Sequence, residues 1–374
     1  MKVQISQKRT VVFFVFIAIT VFSIGLFKPM LLLLPLLCVL VFCKKATMRE
    51  IVSSLLFGGL FSLLISLNIV EFPMFPQAAE IFSMDEDVFY WFSQGHPHAI
   101  RLLIVYPGVI ISKVFRLTID LGVTIYSASL MILIVFFMMR MLNIIGEESR
   151  LTSLLSGIFV LALSMVMNGR LIFVFFGVSL LALYELKYRE KETSIFALQI
   201  ITGVAVSFTM VSSGTMMISM AYTLLILSYR WKKTVRFNEK VVFILTILIS
   251  LIPVISLVLP YIVMMTCRNI DYYGGGIQGT INLINHGLGR YINTGNKALM
   301  LLLFVMGAMV VLINIHVFRH RVSRPDNPDL PLILLVNLSV YGSIFGLSTG
   351  LTGLIPFLVL AINKFSRSFR ISMA

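Results

Sequence analysis

The residues able to do chemistry in this chain gather in two polar stretches and one tight turn. The first stretch, between Glu71 and Arg116, holds Asp85, Glu86 and Asp87, then Tyr90 and Trp91, then His96-Pro97-His98 and Arg101. The second, between Cys267 and Lys297, holds Arg268, Asp271, Tyr272, Tyr273, three consecutive glycines at 274–276, His286 and Arg290. Between them lies the short turn Asn168-Gly169-Arg170. A guanidinium offers a planar fork of donors matched to phosphate, so Arg170 reads either as an anion contact or as a side chain snorkelling to lipid headgroups. Carboxylates beside aromatic rings suit a sugar: oxygen atoms accept from hydroxyls while ring faces cover the apolar side of a pyranose. The Asp85-Glu86-Asp87 cluster followed by Tyr90 and Trp91 fits that pattern, although Asp85 and Glu86 read more readily as a solvated acidic loop beside an aromatic belt. Asp271, His286 and Arg290 share one loop and are all placed to reach a substrate. His96-Pro97-His98 lacks a third ligand, so no metal is expected there. Gly274–Gly276 follows no strand and matches no phosphate-loop pattern, and it reads as a flexible hinge.

What must position these groups is an unusually apolar scaffold. Of 374 residues, 59% are hydrophobic and only 12% charged, against about 45–50% and about 25% in soluble domains. Twelve long apolar runs can be counted: Val11–Phe27, Met30–Phe42, Ile51–Val70, Leu117–Met139, Leu151–Met167, Leu171–Leu186, Thr193–Val211, Thr215–Tyr229, Val241–Thr266, Ala298–Phe318, Leu330–Leu347 and Leu351–Asn363. A spanning helix needs about 20 apolar residues, and continuous runs favour helices over barrel strands. The expected architecture is therefore all-α: one integral membrane domain over 1–374, a polytopic bundle of about twelve spans with two large outer loops, 71–116 and 267–297. The stretch Leu102–Val114 reads as a re-entrant or interfacial helix, and Pro253 and Pro260 should kink the ninth span.

Charge placement fixes the orientation. With the N-terminus inside, twenty-two of the 30 Lys and Arg residues fall in inner segments and eight in outer ones, which is the positive-inside pattern. Both termini then face the cytoplasm. The formal net charge of +14 becomes a topology signal and not a nucleic-acid footprint. The basic start and first apolar run resemble a signal peptide, but with no small-residue cleavage site after Phe27 they read as an uncleaved first helix. Cys38, Cys43 and Cys267 lack disulfide or metal spacing.

Four features resemble the Wzy/EpsG-type polymerases of bacterial polysaccharide repeat units, over roughly Asp85 to Arg230. They are Asp87-Val88-Phe89-Tyr90 after an early span; Pro107 to Ser112-Lys113 before a long span; Asn168-Gly169-Arg170 leading into an apolar helix and the basic Lys187 to Lys191; and a hairpin tipped by Ser212, Ser213, Gly214 and Thr215. Two positions depart from that pattern: Leu171-Ile172 stands where the family usually has Gln, and Met210-Val211 where it often has His.

The resemblance implies a glycosyltransferase at the outer face of the cytoplasmic (inner) membrane. It would polymerise O-antigen or exopolysaccharide units by moving a glycan from undecaprenyl pyrophosphate onto a second lipid-linked unit, needing no cofactor, metal or nucleic acid. In that scheme Asp87, Arg170 and His286 are catalytic, with His98 a further candidate base, and Tyr90, Arg101, Arg268, Asp271 and Arg290 bind substrate. Partners would be the lipid-linked glycan, membrane lipids and a chain-length regulator. The alternative is a multi-span transporter or lipid-linked glycan flippase, for which no internal repeat and few mid-span charges are visible.

Overall fold

The computed structural model describes residues 46–67, 99–166, 171–211, 221–226, 259–283, 329–341 and 351–373, with isolated positions that include Tyr90 and Ser219. Among the described residues every regular element is an α-helix. The principal ones are α1 (Met48–Ser66), α2 (Ala99–Phe115), α3 (Ile119–Ile144), α4 (Arg150–Val166), α5 (Leu171–Arg189), α6 (Ile195–Thr209), α7 (Leu259–Tyr272), α8 (Leu330–Tyr341) and α9 (Leu354–Met373). Two of them, α1 and α3, are long and apolar enough to cross a membrane. The expected runs Val11–Phe27 and Met30–Phe42 lie outside the described residues, as does most of Thr215–Tyr229 and Ala298–Phe318.

The chain divides into two compact units. The first takes in α1, α2, α3, α4 and the part of α5 through Ser179. At its centre stands α3, whose 26 residues extend about 39 Å at 1.5 Å per residue. It is apolar on all sides and buried along most of its length, as a helix surrounded by other helices must be. Small residues let its neighbours approach. A Cβ added to Gly58 of α1 would fall inside the Ile132 side chain of α3, and one added to Gly122 of α3 would meet the Gly108 carbonyl of α2. On its other flank α1 sets Phe57 against Gly157 of α4. Small residues at these crossings let the helix backbones approach closely.

The outward faces are apolar too. Leu151, Leu154, Leu155, Ile158 and Met165 form an exposed stripe down α4, and Val52, Leu56 and Leu60 form another along α1. Their i, i+3, i+4, i+7 spacing puts each set on one helix face.

The second unit holds the end of α5 from Leu180, then α6, α7, α8 and α9. Gly353, just before α9, lets that helix sit on α8, since a Cβ there would be 2.8 Å from Ser339 Cβ. Four helix ends close with the same paired bonds, a 6→1 bond and a 5→2 bond around a residue of positive φ. Gly146 plays that part after α3 and Gly274 after α7, whereas Arg116 (φ 52°) and Lys191 (φ 59°) do so after α2 and α5 without the freedom of glycine.

Candidate functional site

Within the second polar stretch the structure describes residues 267–283, which form a helix end, a turn and a short helix. Helix α7 ends at Tyr272, and the Gly275 N–H donates back to the Ile270 carbonyl at 2.9 Å while the Gly274 N–H donates to Asp271 at 3.1 Å. Gly274, Gly275 and Gly276 take φ values of 114°, 73° and 52°, which L side chains rarely adopt. The three glycines, read from sequence as a flexible hinge, take the form of a hydrogen-bonded turn. A short helix over 276–283 follows and touches the last turn of α7. A Cβ at Gly279 would lie 2.2 Å from the Ile270 carbonyl oxygen, so the two helices touch backbone to backbone there. Asn282 Nδ2 donates to the Tyr273 carbonyl at 3.0 Å and ties the returning helix to the turn.

This hairpin carries two of the sequence-predicted residues. Arg268 and Asp271 stand one turn apart near the C-terminal end of α7, and both are exposed. Three residues is the spacing that puts two side chains on the same helix surface. Among the described residues neither side chain forms a hydrogen bond or an ion pair. A basic and an acidic group side by side on an ordered helix end can receive an anion on one and hydroxyls on the other. Tyr272 and Tyr273 stack edge to face beside them, with ring centroids 5.1 Å apart.

Tyr90 is helical and about half exposed. Arg101 lies in the first turn of α2, which confirms the Leu102–Val114 stretch as helix. Asp87, Arg170, His286 and Arg290 lie outside the described residues. Arg268 and Asp271 are the predicted pair that the described structure brings together. Among the described residues no group of three or more His, Cys, Asp or Glu side chains is arranged to hold a metal.

Sequence reasoning missed two buried polar networks. In the first unit, Glu50 is fully buried and accepts from three donors: its own Thr47 N–H at 2.7 Å, Asn143 Nδ2 at 2.9 Å and Arg140 at 3.3 Å. The Thr47-x-x-Glu50 pattern is a reciprocal capping box, and that signal was available in the sequence. Adjacent Arg49 spends its guanidinium on the turn between α3 and α4, donating to the Glu147 and Ser149 carbonyls and to Ser153 Oγ. These arginines are occupied in holding helices together.

In the second unit Glu185, only 3% exposed, accepts from the Tyr222 hydroxyl at 2.8 Å. One turn on, Arg189 reaches Asp329 at 2.6 Å and so joins the end of α5 to the start of α8. Past the apolar run ending at Asn363, burial pulls the Lys364 ammonium below the ordinary lysine range, and the Asp329 carboxylate opposes that shift. Gln199 is buried, and among the described residues neither of its amide atoms has a hydrogen-bond partner.

No family model matches the chain, and no curated protein or solved structure matches it.

Proposed function

We propose that the chain is a multi-pass protein of the cytoplasmic membrane, with about twelve spans and both termini inside. Its activity in this reading is polymerisation of lipid-linked glycan repeat units at the outer face. The observation that carries the proposal is the contrast between arginines. Arg49, Arg140 and Arg189, all on segments assigned to the inside, are bonded into the scaffold. Arg268, on an outer segment, stands exposed beside Asp271 on a rigid hairpin. The resemblance to Wzy/EpsG-type polymerases supports the same assignment.

The chemistry asked of these groups is simple. An acceptor hydroxyl loses its proton to a base, Asp87 or His286, as its oxygen bonds to the anomeric carbon of the donor glycan. The bond from that carbon to the pyrophosphate oxygen breaks, and undecaprenyl pyrophosphate leaves with the electron pair. Arg170 and Arg268, with Arg101 and Arg290, neutralise the diphosphate as charge builds on it. Tyr90 and Asp271 orient the sugar. Deleting the gene and running the surface polysaccharide on a gel tests this: long chains should vanish and a single capped repeat unit remain. An unchanged ladder would refute it.

A second reading, a lipid-linked glycan flippase, is favoured by the buried Glu185–Tyr222 pair, because acids inside apolar helices mark transport pathways by default. For a flippase the same deletion removes all surface glycan.

A further inference from the structure

The last turn of α7 carries an aromatic ring beside the guanidinium and the carboxylate. Arg268 precedes Asp271 by three residues and Tyr272 by four, all within the helix. Side chains at those spacings are neighbours, with about 5–6 Å between Cβ atoms. Arg268 thus stands one turn below both Asp271 and Tyr272 on one face. Tyr272 is 82% exposed. Its T-shaped contact with Tyr273, 5.1 Å between centroids and 88° between planes, steadies the ring and leaves most of it uncovered. Asp271 is open toward the turn as well. Gly275 places no side chain there, and a Cβ at that position would come within 4.0 Å of Asp271 Oδ1.

We propose that Tyr272 is the platform for the sugar bonded directly to the diphosphate, and so a specificity-determining residue for the glycan. Three chemically different groups on one turn match three parts of one ligand. The Arg268 guanidinium takes phosphate oxygens as a planar fork. The Tyr272 ring covers the apolar side of the adjoining pyranose, and the Asp271 carboxylate accepts from its hydroxyls. Diphosphate and first sugar are joined to each other, so their receptors must be neighbours, and a single helical turn makes them so. An anionic lipid headgroup fits this face less well, because Asp271 repels it. Depth agrees. Tyr272 lies six residues, about 9 Å, past Thr266, where the apolar stretch stops. The headgroup layer in which aromatic belts sit is only about 5–8 Å deep. The inference rests on the glycan reading of the proposed function and names the sugar contact within that same site.

The test titrates the full chain in lipid nanodiscs with two carriers and reads affinity by calorimetry. One carrier is undecaprenyl pyrophosphate bearing the host's single repeat unit, purified from the deletion strain; the other is undecaprenyl pyrophosphate without sugar. Tyr272→Leu should bind the glycan-bearing carrier about tenfold more weakly and the sugar-free carrier as the unaltered chain does. Tyr272→Phe, which keeps the ring, should bind both normally. Arg268→Gln should weaken both. Unchanged affinity of Tyr272→Leu for the glycan-bearing carrier would overturn the proposal. So would any comparable loss for the sugar-free carrier, since the ring would then serve the lipid or the fold. Failure of the unaltered chain to bind either carrier would instead refute the proposed function beneath it.

Discussion

Glu50 of α1 and Arg140 of α3, ninety positions apart, pair at 3.3 Å with the carboxylate wholly buried and the guanidinium 23% exposed. The pair closes one end of the first unit, where α1, α3 and α4 meet. Removing the carboxylate with Glu50→Ala takes this acceptor from Arg140 and Asn143 at once. The expected cost is about 3 kcal/mol, the low end for breaking a buried pair, because Arg140 keeps some access to solvent. Thermal unfolding in detergent should show it. A cycle with Arg140→Ala should give a coupling well above the few tenths expected of independent sites.

Arg49 makes a different prediction, local and not global. Arg49→Lys keeps the charge but cannot span Ser153 Oγ and the carbonyls of Glu147 and Ser149 at once. The turn before α4 should loosen, and tryptic cleavage after Arg150 should quicken in the variant while overall unfolding shifts little. Unchanged cleavage would mean the turn holds itself.

Two helix ends carry removable strain. Lys191 sits at φ 59°, where an L residue other than Asn or Gly costs about 1–2 kcal/mol. Lys191→Gly should therefore raise the melting temperature. Gly203, mid-helix in α6 with open space around its Cβ position, should tolerate alanine and gain up to about 1 kcal/mol of helix propensity.

Gly279→Ala should do the reverse. Its new methyl would meet the Ile270 carbonyl, a backbone atom that cannot turn aside. The hairpin must open, costing about 1–3 kcal/mol as overpacking does. Amide exchange at Gly275 and Gly279 should accelerate, while Arg268 and Asp271, both within α7, keep their spacing.

How far the sequence carried these conclusions differs from element to element. Apolar runs placed α3, α4 and α6 within about five residues, since helices buried or apolar on most sides leave unbroken hydrophobicity in the sequence. The apolar run of α5 stops at Leu186, yet the helix continues to Arg189, whose partner Asp329 is 140 positions away. A distant partner leaves no local mark. Glu185 was likewise passed over as one acid in an apolar run, and only the fold shows Tyr222 beside it. Three glycines in a row signalled freedom of backbone; that they spend it on one turn depends on Gly279 meeting Ile270. Of the candidate site, residue types were legible, and Arg268 and Asp271 were named from them. Their common face, with no side-chain partner among the described residues, was visible only once α7 was seen to continue through both.

The central claim is that the exposed guanidinium and carboxylate on the outer hairpin act on a diphosphate-bearing lipid. It is tested most directly with purified protein in proteoliposomes supplied with a lipid-linked repeat unit, following chain length on a gel. The account predicts elongation by the unaltered chain, a loss of about 10²-fold in rate for Arg268→Gln, a partial loss for Arg268→Lys, and melting temperatures that do not move. Wild-type elongation by Arg268→Gln, or no elongation by the unaltered chain while it remains folded, would contradict it.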